Sequence, residues 1–226
     1  NAGADLTRCG NNAVAAVDAT VTNATSVSWS GGLGTYAPNN TTVDLTGYTP
    51  TAGEISSGTV TLTLTGNRNG CNAVADNMTI TYTPAPTVNA GADLTICQNN
   101  SVVSLAGVGS VSVASGGVWT ATPAGGTFSP NANFGTVSTF TPSAGQISAG
   151  TFTLTLTTTG NGSCNAVSDV ITVTVAPTPT VSAGLDQSAC KNNPVITLTG
   201  TSSTTAGTWT SLSGTPGTFS NANLLV

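Results

Sequence analysis

The residues best able to do chemistry in this chain are five cysteines at matched places: Cys9 and Cys71, Cys97 and Cys164, and Cys190. One member of each pair follows a short strand pattern. The other sits in a Gly/Asn-rich turn, Gly70-Cys71-Asn72 or Ser163-Cys164-Asn165. Such spacing is the signal of a disulfide framework. It predicts bridges Cys9–Cys71 and Cys97–Cys164, with Cys190 bonded to a residue outside this chain. Each bridge closes a loop of about 60 residues, for which the chain-entropy relation gives roughly 4 kcal/mol at most. Disulfides imply an oxidising compartment and hence export. A metal role for these cysteines is disfavoured, because the chain has no histidine and no Cys-x-x-Cys spacing.

Asp5, Asp93 and Asp186 recur in an opening Ala-Gly-x-Asp step, and Asp76 and Asp169 recur five residues after the turn cysteine. Calcium takes about six to eight oxygen ligands, more than the acids clustered at any one place here supply. The aspartates therefore read as turn caps that accept backbone N–H groups, with calcium at the linkers left open. No histidine base, paired acids or glycine-rich phosphate loop is present, so the expectation is no catalytic site and no cofactor. The alternating threonines of Thr61-Leu62-Thr63-Leu64-Thr65 suit an exposed strand face through their β-branch. Sugar or ice binding and O-linked glycans are other uses of the same hydroxyls. Arg8, Arg68 and Lys191 are the only cations and the net charge is −5, which excludes a phosphate-neutralising surface and nucleic acid as partner. No apolar run reaches membrane-span length.

These residues are positioned by a repeated hairpin. Phe152, Leu154 and Leu156 alternate with threonines, a Gly160-Asn161-Gly162 turn follows, and Ile171, Val173 and Val175 resume the alternation. This is the period-2 pattern of half-buried strands. The same hairpin occupies residues 58–83, with Val60, Leu62, Leu64, Met78, Ile80 and Tyr82. Openings of one type at Asn1, Asn89 and Ser182 are offset by 88 residues (1 to 89) and 93 residues (89 to 182), so the units are domain-sized. Each carries one tryptophan, Trp29, Trp119 or Trp209, read as a core aromatic, and a later aromatic, Tyr36, Phe128 or Phe219. Strands are expected over 42–49 and 135–141, edge-like and stopped by proline. The segments from Pro50 and Pro142 are expected to cross from one sheet to the other. About seven strands in roughly 90 residues is the immunoglobulin-like pattern.

The predicted fold class is therefore all-β: tandem immunoglobulin-like β-sandwich domains, arranged by proline-containing linkers as an elongated rod. The expected domains are 1–88, 89–181 and 182–226, the third being the N-terminal part of a repeat. Simple continuation of the chain completes that repeat, with strand donation from another subunit as the alternative. Only 5% of residues are charged while 38% are hydrophobic, and this alternation in a weakly charged chain argues for strands over disorder.

Units opening Val-Asn-Ala-Gly-x-Asp-x-Thr-x-Cys and carrying Gly-Thr-Phe before the stretch from Phe140 to Val175 resemble the tandem repeats of giant Bacteroidota surface proteins. The gliding-motility adhesins are the best-known members. The layout is also similar to that of polycystic-kidney-disease-type domains, although Trp119 is followed by Thr120-Ala121-Thr122 and not by Asp-Phe-Gly-Asp. The resemblance implies type IX secretion, display at the cell surface, and use in attachment or gliding. The expectation is a non-enzymatic structural or adhesive segment of a large extracellular protein. Its partners are neighbouring repeats of the same polypeptide and surface polysaccharide or other adhesin chains. A carbohydrate-binding module array, which needs exposed aromatics, and a self-assembling filament subunit with strand exchange are the alternatives.

Overall fold

The computed structural model describes residues 1–136, 139–204, 207–211, 218–220 and 223–224. The first repeat runs through β1 (Leu6–Cys9), β2 (Ala15–Val17), β3 (Ser26–Ser30), β4 (Thr35–Ala37), β5 (Leu45–Thr49), the helix α1 (Ala52–Ser57), β6 (Thr59–Asn67) and β7 (Val74–Thr83). Its two sheets have the orders β1-β7-β6-β3 and β2-β5-β4. The second repeat runs through β8 (Thr87–Asn89), β9 (Leu94–Cys97), β10 (Val103–Ser104), β11 (Ser110–Ser112), β12 (Gly116–Thr122), β13 (Thr127–Ser129), β14 (Thr139–Thr141), the helix α2 (Ala144–Ala149), β15 (Thr151–Thr159) and β16 (Ser168–Ala176). Its sheets are β12-β15-β16-β9 and β10-β14-β13, with a further ladder β11-β8. The chain is thus an all-β tandem of immunoglobulin-like sandwiches. Beyond them lie β17 (Val181–Ser182), β18 (Thr201–Ser202), β19 (Gly207–Thr208) and β20 (Asn223–Leu224), paired as β17-β18 and β19-β20. Two compact units result: residues 1–94 with 102–174, and residues 95–101 with 175–226.

Alternation builds the long hairpins and one face of each buries. Val60 pairs with Ile80 and Leu62 with Met78; Phe152 pairs with Val173 and Leu154 with Ile171. All eight side chains are buried, each worth about 1.5–3 kcal/mol of apolar transfer. Trp29 and Trp119 sit on the neighbouring strands β3 and β12, opposite Leu64 and Leu156, and both are buried as core aromatics. The facing sheets contribute Ala15, Val17, Leu45 and Tyr48 in the first repeat, and Val103 and Phe140 in the second.

Several expectations are corrected. Trp209 is half-buried, not a core plug; the ladders around it, β17-β18 and β19-β20, are only two residues long on each side. β5 and β14 are the central strands of their sheets, not edges, because proline falls only after their last residue. Residues 137 and 138 of the strand expected over 135–141 lie outside the described residues. The segments after Pro50 and Pro142 do cross between sheets, but as one-turn helices. Thr51 and Ser143 cap them in capping boxes with Glu54 and Gln146, a Thr/Ser-x-x-Glu/Gln signature readable in the sequence. Gly58 and Gly150 close them at φ 83° and 77°, a conformation that favours glycine.

Candidate functional site

The pairing of β1 fixes where the cysteines go. β1 runs parallel to β7, with Leu6 opposite Ile80 and Cys9 opposite Thr83. Cys9 therefore lies at the end of β7 remote from the β6–β7 turn that carries Cys71. Ten strand residues at about 3.3 Å each put the two sulfurs roughly 30 Å apart, beyond any disulfide. The structure accordingly bonds Cys9 to Cys164, with Cα atoms 5.0 Å apart. Cys71, Cys97 and Cys190 are free thiols. The expected Cys9–Cys71 and Cys97–Cys164 bridges are thus replaced by one bond between successive repeats. Cysteine spacing showed that two halves existed but not at which end of a sandwich each lay.

Each half of this joint is a rigid turn. On the first repeat the Gly10 amide donates to the Thr83 carbonyl, and the Asn12 amide donates to the Cys9 carbonyl, both at 2.9 Å. This turn buries Cys9 and presents the side chains of Asn11 and Asn12. On the second repeat, the turn after β15 is closed by the Cys164 amide donating to the Asn161 carbonyl at 3.0 Å. Gly160 and Gly162 there hold φ of 66° and 60°, left-handed values that glycine adopts without strain.

Between the halves, Asn11 and Asn165 bind each other reciprocally. Asn11 Nδ2 donates to the Asn165 carbonyl at 2.9 Å, and Asn165 Nδ2 donates to the Asn11 carbonyl at 2.7 Å. The Asn165 amide also donates to Asn11 Oδ1 at 3.1 Å, and Asn12 Nδ2 donates to the Ser163 carbonyl at 3.0 Å. Side-chain amides suit this task because each offers donors and an acceptor without charge. At about 0.5–1.5 kcal/mol net apiece, and less where water competes, these bonds orient the joint while the disulfide holds it. The asparagines were not anticipated as site residues. Their signal was the thrice-repeated Cys-x-Asn-Asn at 9–12, 97–100 and 190–193.

The recurring aspartates act within repeats, as backbone acceptors. Asp76 Oδ2 accepts from the Ala2 amide and Asp169 Oδ2 from the Ala90 amide, both at 2.8 Å. Asp5 and Asp93 accept from the Thr79 and Thr172 amides at 2.8 Å. The Ala2 and Ala90 amides, followed by those of Asn77 and Val170, hold the Asp76 and Asp169 carboxyls below the ordinary aspartate value. Among the described residues no group of three or more His, Cys, Asp or Glu is placed to hold a metal ion.

The one buried carboxylate among the described residues, Glu54, belongs to the first repeat. Its Oε1 accepts from the Tyr48 hydroxyl at 2.7 Å and the Leu33 amide at 2.8 Å; Oε2 accepts from the Thr51 amide at 2.8 Å. Burial opposes its ionisation, but the hydrogen bonds from Thr51, Tyr48 and Leu33 outweigh it and keep the carboxyl below its ordinary value. In the second repeat Gln146 replaces Glu54 and Phe140 replaces Tyr48. Gln146 Nε2 donates instead to the Pro123 carbonyl at 2.8 Å. Both arrangements are satisfied core linkages. With Trp29 and Trp119 buried, neither repeat offers its tryptophan as a stacking platform for sugar.

No family model matches the chain, and no curated protein matches it. Solved structures similar to it include Drosophila N-cadherin EC1-4, at TM-score 0.41 and 12% identity over 78% of this chain and 48% of that one. Protocadherin Gamma B2 extracellular cadherin domains 3-6 match at TM-score 0.33 and 10% identity, over 80% and 49%. The human Desmocollin-1 ectodomain matches at TM-score 0.30 and 12% identity, over 80% and 41%. The chain spans about half the length of these structures or less. No helix among the described residues is long and apolar enough to cross a membrane.

Proposed function

We propose that this chain is a non-enzymatic structural segment of a large extracellular adhesive protein, displayed at a cell surface. Its repeats, with boundaries at 88/89 and 181/182, serve as a covalently coupled spacer. The observation that carries this reading is the Cys9–Cys164 bond with its asparagine clasp, which couples one sandwich to the next. A joint of this kind transmits tension between repeats past the chain it closes, from residue 10 to residue 163. The sequence resemblance to gliding-motility adhesins of the Bacteroidota supports a place in bacterial attachment or gliding, with export by the type IX route. Neighbouring repeats are then the immediate partners, and surface polysaccharide or other adhesin chains the distal ones.

The test is single-molecule extension of the chain held at its two ends, before and after reduction. The disulfide joins residues 155 apart in sequence, so the chain between them is shielded while the bond stands. Reduction is expected to release additional contour length on the order of 500 Å, at about 3.6 Å per residue. Equal contour lengths with and without reductant would show that the joint carries no load and would remove the basis of the spacer reading.

A further inference from the structure

The Cys9–Cys164 joint has two kinds of half, and each occurs again without its complement. The Cys-x-Asn-Asn half recurs at Cys97, where the Asn100 amide donates to the Cys97 carbonyl at 2.9 Å and the Gln98 amide donates to the Ala176 carbonyl at 2.9 Å. These are the counterparts of the Asn12 and Gly10 bonds beside Cys9. The bridges Cys9↔Asn12, Cys97↔Asn100 and Cys190↔Asn193 are the same structure three times. The other half recurs at Cys71, whose amide donates to the Arg68 carbonyl at 3.0 Å, as Cys164 does to Asn161. Asn72 follows Cys71 as Asn165 follows Cys164.

The occupied copy shows what each half binds. A second observation at Cys71 points the same way. A groove of about 560 Å³ opens beside it, lined by Thr20, Val21, Leu64, Arg68, Cys71 and Val74 among others. Val74 is 74% exposed there. In the first repeat Asn1 and Thr20 exchange backbone hydrogen bonds at 2.9 Å. In the second repeat the equivalent pair, Asn89 and Ser110, continues into Val88↔Val111 and Thr87↔Ser112. The edge bordering the Cys71 groove is therefore the one on which the second repeat seats the incoming linker strand β8.

We infer that Cys71 and Cys97 are open halves of one repeating joint, of which the Cys190 turn is a further copy: Cys71 takes the Cys-x-Asn-Asn turn, and Cys97 the Cys-Asn hairpin turn, of a further copy of this repeat. The occupant is a repeat in series, not a small molecule, because the recognised surface is two main-chain carbonyls and one amide of a closed hairpin turn. Closing each joint joins two thiol sulfurs. The two electrons and two protons pass to a small-molecule disulfide such as glutathione disulfide, which leaves as two thiols. The inference holds whether or not the protein is adhesive.

The test is a full chain in which residues 89–181 are present twice in succession, the added copy carrying Ile96→Val and Val167→Ile as mass marks beside its two cysteines, oxidised in glutathione buffer and mapped by mass spectrometry. The expected result is Cys9–Cys164 as before, Cys97 bonded to the hairpin-turn cysteine of the added copy, and Cys71 still open to alkylation. Bonds within a copy, or alkylation of the first copy's Cys97 in the oxidised chain, overturn the inference. The unextended chain provides a second measurement. A synthetic peptide of residues 160–167 is offered as its glutathione mixed disulfide, beside the same peptide with Asn165→Ala. The ratio of Cys97 to Cys71 labelling should be about fivefold higher for the asparagine peptide, the effect of one hydrogen bond of ordinary net strength. Equal ratios for the two peptides overturn the inference.

Discussion

Glu54 and Gln146 show how one buried position is solved twice. Glu54 faces donors only, the Leu33 amide and the Tyr48 and Thr51 hydroxyls, so an acceptor-only carboxylate satisfies them all. Gln146 meets the carbonyl of Pro123, and an amide is required there. Glu54→Gln turns an N–H₂ toward donors and is expected to cost about 1–3 kcal/mol. Paired with Tyr48→Phe, which copies the second repeat, it should cost about 1 kcal/mol less than the two single changes summed. A double-mutant cycle by denaturant unfolding checks this, and strict additivity would contradict it. Tyr82 is the opposite case. Its buried hydroxyl has no partner, and burial, followed by the Glu54 charge, pushes its pKa up to about 12. Tyr82→Phe is therefore expected to leave the melting temperature unchanged or raise it, because only an unsatisfied hydroxyl is lost. None of this is legible in the sequence, since a glutamate three residues after a threonine announces a cap and says nothing of the tyrosine that reaches it from another strand.

At the scale of elements, the parallel pairing of β1 with β7 decides at which end of the first sandwich each cysteine lies. The hairpins themselves were legible, because strict alternation of Val60, Leu62 and Leu64 with threonines admits one geometry. The cysteine partners were not, because alternation gives the face of a strand and not the direction of its neighbour. Asp5 and Asp76 fasten the opening segment to β7, and Asp93 and Asp169 repeat the arrangement on β16. Asp76 and Asp169 have lowered pKa values in the folded chain. The stability they add is present above the ordinary aspartate value of 3.8 and is lost as pH falls through the folded values. Hydrogen exchange of the Ala2 and Ala90 amides should accelerate in acid below pH 3.8, after correction for intrinsic rates, ahead of core amides such as Leu62. Retention of full protection there would remove the aspartates from this role. In the core of the same hairpin, Ile80→Ala should cost about 2–5 kcal/mol, read as a fall in the denaturant midpoint.

For the whole molecule, the tandem of sandwiches was readable from the 88-residue offset between openings at Asn1 and Asn89, but the coupling between them was not, because its signal lies in turns and not in strands. Cys9→Ser, Cys164→Ser and reduction of the intact protein should lower stability alike, by at most roughly 5 kcal/mol on the chain-entropy relation. Cys71→Ser should leave it unchanged. Unequal effects of Cys9→Ser and Cys164→Ser would show that one sulfur acts within its own repeat. A bond whose partners are 155 residues apart also sets an order in time. Cys9 stays reduced until the hairpin of the next repeat has been delivered and closed, so maturation can only follow the chain from its beginning. An interrupted molecule is thereby left with an unpaired thiol on its last finished repeat, a chemical mark of how far its joining has gone.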